Sequence, residues 1–72
     1  MAENGNMKCR INGSEQTLPS GMSLIDFLGT KNVKPQAVVI EHNGEVLPKG
    51  GYDGIILRDG DTLEIVQIIG GG

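Results

Sequence analysis

Apolar and polar residues alternate in "MKCRI": Met7, Cys9 and Ile11 fall on one side, Lys8 and Arg10 on the other. A period of two marks a strand with one face buried. Asn12-Gly13 follows, a hairpin signal because both residues tolerate positive φ. "QTL" is then the return strand, closed by "PSG". In "SLIDFLGTK" the period changes: Leu24, Phe27 and Leu28 stand at i, i+3 and i+4, one stripe of a helix. Ser23 is a suitable N-cap, and Asp26 three residues on completes a capping-box pattern with Asp in place of Glu. Gly29 lies inside the pattern. The helix is expected to pass it and end at a C-cap on Asn32, with Val33 folding back. Pro35 prevents further extension.

Alternation returns in "AVVIEH", with Val38, Ile40 and His42 facing inward and Val39 outward. Asn43-Gly44 makes a second hairpin turn, and "EVL" returns from it. "PKGGYDGI" is an irregular stretch rich in glycine, with Gly50-Gly51 read as a flexible connector. "RDGD" is a tight turn, and "TLEIVQII" is the last and longest strand. Within it Leu63 and Ile65 share the inward face, whereas Val66 and Ile68 point outward. The order strand, strand, helix, strand, short strand, strand predicts an α+β fold. One main helix packs on one face of a mixed four- to five-stranded sheet. One helix leaves the other face open, so Val39, Val66 and Ile68 are candidates for partner docking; scattered surface hydrophobics are the plainer alternative.

At 72 residues the chain makes one small domain, burying only about 60% of the surface its unfolded form exposes. No room is expected for an enclosed active site. Net charge is −3, which argues against nucleic acid, because phosphate binding needs clustered Lys and Arg. No apolar run approaches a membrane span, and the first ten residues lack the apolar core of a signal peptide. The single cysteine cannot form an internal disulfide. A soluble, cytoplasmic protein, monomeric when free, is expected. A disordered leader is expected over residues 1–6, a folded domain over 7–69 and a flexible glycine tail over 70–72.

Candidate chemistry inside the domain is sparse. Cys9 shares strand parity with Met7 and Ile11, which suits a small core residue better than an exposed thiolate. His42 lacks the nucleophile and orienting group of a catalytic set, and no spacing resembles a zinc motif. Asp53, Asp59, Asp61 and Glu64 do not follow the calcium-loop pattern, and turn chemistry accounts for Asp59 and Asp61. Gly50-Gly51 lacks the Lys-Ser/Thr ending and following helix of a phosphate loop. No catalytic residue and no metal site are expected.

The run "GGG" at 70–72 stands out even in a chain with 12 glycines. Without Cβ such a segment can pass through a narrow channel, and three extended residues reach roughly 10 Å. A carboxylate at its end is a poor electrophile until activated, for example as an acyl adenylate. The tail thus reads as a substrate for another protein's active site, with a frayed end as the plainer alternative.

Four stretches, "INGSEQTLPSGMSLIDFL", "IEHNGEVLP", "LRDGDTLEIV" and the final "GG", carry a resemblance to the ubiquitin-like β-grasp superfamily. Within it the chain is similar to the ThiS family of sulfur carriers of thiamine thiazole synthesis, from about Met7 to Gly72. The resemblance implies that a ThiF-like enzyme uses ATP to adenylate the Gly72 carboxylate. A cysteine-desulfurase-derived sulfur donor then makes a thiocarboxylate, and a ThiG-like thiazole synthase consumes it, together with deoxyxylulose phosphate and a glycine-derived imine. Gly71 and Gly72 match the family's functional pair, and Gly70 a position that is Ala in some members. Val66, Ile68 and Val39 would dock on partners, and no cofactor would be bound by the carrier itself. The early residues, Cys9, Gly29 and His42 depart from the family pattern. Alternatives left open are a MoaD-like carrier of the molybdopterin route, a carrier for amino-acid or tRNA thiolation, and an interaction module with an inert tail. "EIVQII" lacks the aromatic and proline residues usual before the MoaD tail.

Overall fold

The structure, a computed structural model, describes residues 5–68. Five strands and one helix follow in order: β1 (Asn6–Ile11), β2 (Ser14–Pro19), α1 (Leu24–Thr30), β3 (Val38–His42), β4 (Glu45–Val46) and β5 (Thr62–Gln67). A 3-10 turn over Pro35–Ala37 leads into β3. The strands form one sheet in the order β2-β1-β5-β3-β4. β1 and β5 are parallel neighbours at its centre, and the other pairs are antiparallel. This is the expected mixed sheet with one helix. β1 begins at Asn6, inside the expected leader, because Asn6 pairs with Pro19 across the hairpin and the Ser20 amide donates to the Gly5 carbonyl at 2.8 Å.

Both hairpins turn on the expected dipeptides. Asn12 and Gly13 have φ of 50° and 84°, and Asn43 and Gly44 have 51° and 87°. Two consecutive positive φ values give the turn hand that matches strand twist. The asparagines do more than turn the chain. The Asn12 side chain accepts from the Ile65 amide at 2.7 Å and donates to the Ile65 carbonyl at 3.2 Å. Asn43 Oδ1 accepts from the Thr62 amide at 2.8 Å. Each side chain stands where a strand's backbone would otherwise continue, so β5 is held from both edges.

Helix α1 is short and anchored at both ends. Ser23 Oγ accepts from the Asp26 amide at 3.0 Å. At the other end the expectation needs a correction of one residue: Lys31 is the C-cap, and Asn32 follows it with φ 58°. The Val33 amide reaches back to Leu28 and the Asn32 amide to Gly29, at 3.0 and 3.1 Å. These are the two bonds of a Schellman ending. At Gly29 a methyl group would meet nothing within 4 Å, so its absence is a helix-propensity cost without a packing reason.

The core lies between α1 and the sheet. Leu24, Phe27 and Leu28 of the helix meet Met7, Cys9, Ile11, Leu18, Val38, Ile40 and Leu63 of the strands. Tyr52 and Leu57 close it from the long loop before β5. Within that loop Gly50-Gly51 was expected to be a flexible connector; the Gly51 amide donates to the Pro48 carbonyl at 2.8 Å, and the residues that follow pack on the core. Tyr52 is buried because its hydroxyl finds the Val38 carbonyl at 2.9 Å. Leu57 is buried, its amide bound to the Met22 carbonyl at 2.9 Å.

Candidate functional site

Alternation along β5 sorts its residues onto two faces. Leu63 is buried against the helix and Ile65 packs beside the core. Val66 and Ile68 point to the open face, 60% and 46% exposed. Val39 of β3 is the direct cross-strand partner of Val66. Val46 of β4 is exposed on the same face, opposite Glu41. The three residues singled out from sequence parity therefore share one apolar surface, and Val46 joins it. Sequence reasoning missed Val46, although its place two residues after Asn43-Gly44 fixes its parity.

The end of β5 is held asymmetrically. On the β1 side the ladder covers Thr62 and Leu63, and the Asn12 amide extends it to Ile65. On the β3 side pairing runs through Gln67, and the Ile68 amide donates to the Ala37 carbonyl at 2.8 Å. The backbone is thus ordered up to the last described residue. Gly70, Gly71 and Gly72, named from sequence, lie outside the described residues, as do Ile69 and residues 1–4.

The titratable groups inside the domain are structural. Cys9 is 1% exposed, and its thiol donates to the Arg58 carbonyl at 3.3 Å. Burial, helped by the Asp61 and Asp59 carboxylates, pushes the thiol up from its ordinary value. A buried thiol held protonated is a poor nucleophile. His42 Nε2 lies 2.9 Å from Asp61 Oδ2, so the imidazole serves the carboxylate and not the thiol. Asp61 also accepts from Asn43 Nδ2 at 3.0 Å and from the Arg58 amide at 2.9 Å. Burial by itself would raise the Asp61 carboxyl, but these hydrogen bonds and the His42 charge outweigh it and hold the group below its usual range. Among the described residues no group of three or more His, Cys, Asp or Glu side chains could hold a metal ion. No described helix is long and apolar enough to cross a membrane.

A five-stranded mixed sheet with one covering helix and a central last strand defines a β-grasp domain. The family model of ThiS matches residues 4–72, and the chain belongs to the ThiS family. Among solved structures it is similar to the crystal structure of the thiamine biosynthesis protein ThiS from Geobacter metallireducens. That likeness has a TM-score of 0.76 at 30% identity and covers 92% of this chain and 100% of that one. The chain is 36% identical over 47 residues to the sulfur carrier protein ThiS of Bacillus subtilis, covering 65% of this chain and 71% of that protein. It is 42% identical over 66 residues to a thiazole synthase of Paramagnetospirillum magneticum, covering 92% of this chain but 20% of the synthase. The chain thus spans about one fifth of the length of the thiazole synthases it matches.

Proposed function

We propose that this chain is a sulfur carrier for thiamine thiazole synthesis, acting as a protein co-substrate and not as a catalyst. The observation that carries the reading is the ThiS-family match, which extends through the glycines to Gly72. The thiazole synthases that contain a similar stretch favour the thiazole route over molybdopterin or other thiolation routes.

In this reading the fold is a rigid handle and the glycines supply reach. The Gly72 carboxylate attacks the α-phosphorus of ATP held by a ThiF-like partner, and pyrophosphate leaves. A persulfide from a cysteine desulfurase then attacks the acyl carbon and AMP departs. A thiol cleaves the resulting S–S bond, is oxidised to a disulfide and frees the thiocarboxylate. A ThiG-like synthase consumes that sulfur. The buried Cys9 thiol takes no part. ATP is bound and used by the partner. The chemistry belongs to the cytoplasm, where those nucleotides and thiols are found.

The test is intact-mass analysis after incubation with ATP, the adenylating enzyme and a persulfide donor. The expected result is replacement of one oxygen by sulfur, located on the C-terminal peptide. An unchanged mass, under conditions that thiolate the Bacillus subtilis carrier, would refute the reading.

Docking is proposed to use Val39, Val66 and Ile68. Val66→Thr keeps the branched shape that suits a strand but places a hydroxyl in the interface. The expected result is about a tenfold weaker Kd for the adenylating enzyme, with a thermal midpoint within about 4 °C of the parent. Calorimetric titration and a melting curve measure both.

A further inference from the structure

The apolar open face contains a pair of charges that solubility alone does not require. Glu41 of β3 stands directly opposite Glu64 of β5, next in the outward row to Val39 and Val66. Val46 flanks Glu41 on its other side. Two carboxylates therefore sit side by side among exposed valines. Opposed side chains on one face have Cβ atoms about 5 Å apart, and like charges there destabilise a sheet. Among the described residues neither carboxylate has an ion-pair partner; the ion pair there is His42 with Asp61. The nearest basic strand residue on this face, Arg10, pairs with Thr62 in register and directs its guanidinium to the Gly13 carbonyl at 3.1 Å.

We propose that the Glu41–Glu64 pair receives one basic side chain, an arginine or lysine, from the adenylating enzyme that docks on this face. The inference rests on the carrier reading above. One cation between the two carboxylates converts a repulsion into two attractions. A wholly apolar partner surface would instead bury two uncompensated charges, at a large desolvation cost. A second copy of the chain does not fit: a two-fold face-to-face contact would bring four carboxylates together between molecules of net charge −3. The charged pair selects a partner by complementarity and speeds the encounter. The free protein carries the repulsion.

Glu41→Gln, Glu64→Gln and the double variant test this, each with the tail intact, titrated against the purified adenylating enzyme. Removing the repulsion is expected to raise the melting midpoint of the double variant by roughly 2–4 °C. Its affinity for the enzyme is expected to fall roughly tenfold. The affinity of the unsubstituted chain should weaken between about 50 and about 500 mM salt, and that dependence should flatten in the double variant. Opposite movement of stability and affinity is the signature, since a merely structural role would move both the same way. Equal binding by the unsubstituted and Gln chains would overturn the inference while leaving the carrier reading intact. Failure of the unsubstituted chain to bind at all would overturn both.

Discussion

Deleting Gly72 is expected to abolish adenylation, by at least about a thousandfold, while leaving the melting curve of the domain unchanged. The reason is geometric. Removing one extended residue withdraws the carboxylate by roughly 3.5 Å. Attack on a phosphorus requires the reacting atoms within about 3–3.5 Å, and a misplacement of about 1 Å can already cost a hundredfold. The upstream domain cannot follow the loss. Its last segment is fixed by the β3 ladder through Gln67, by Ala37 at Ile68 and by the Asn12 side chain at Ile65. The fold, in turn, is expected to lose little, because glycine has no side chain to bury and the buried side chains among the described residues run from Met7 to Leu63. Pyrophosphate exchange measures the first effect and calorimetry the second. Adenylation of the shortened chain at the parental rate would show that the activated group is not the Gly72 carboxylate. A lowered midpoint would show that the glycines pack on the domain.

Local patterns sufficed for most of the architecture. The two Asn-Gly pairs turned the hairpins, because positive φ at both positions is a property of the dipeptide itself. Alternation placed Met7, Cys9 and Ile11 inward and Val39, Val66 and Ile68 outward, because strand parity needs no knowledge of the partner strand. What escaped reading depends on register between distant segments. Asn12 was legible as a turn residue, but its second role, 53 residues away on Ile65, exists only once β1 lies beside β5. Asp61 read as one more turn aspartate until β3 brought His42 and Asn43 to it. The stretch around Tyr52 lost its periodicity to glycines and looked like a connector, yet one aromatic ring with a partnered hydroxyl pins it. The Glu41–Glu64 opposition was invisible for the same reason as the Asn12 clamp. The candidate site divides along this line. Its apolar face is a matter of parity and is seen in the structure, whereas the glycines rest on composition and family.

Asp61→Ala is expected to be the most damaging single change among the polar residues, at about 3 kcal/mol. Asp61 is 8% exposed, and its carboxylate joins three segments: the turn at Arg58, the β3 end at His42 and the hairpin at Asn43. Hydrogen bonds to a charged group contribute about 1.5–3 kcal/mol each, and removing the acceptor leaves its donors unsatisfied. Water at the partly open edge recovers some of that, so the sum is well below three full bonds. A domain of this size holds only about 3–5 kcal/mol in total. The loss should therefore lower the melting midpoint by roughly 12–24 °C. Asp61→Asn keeps the shape but offers one acceptor oxygen and adds a donor, so an intermediate loss is expected. The pH dependence separates charge from shape. The Asp61 carboxyl titrates below its ordinary range in the folded state, so its stabilisation is fully present above the unfolded value of about 3.9. It is lost as pH falls through the folded value. The gap in urea midpoint between the parent and Asp61→Asn should accordingly be full at pH 7 and shrink below about pH 4. A gap that persists undiminished in strong acid would mean that the residue acts through its shape, with the anion contributing nothing.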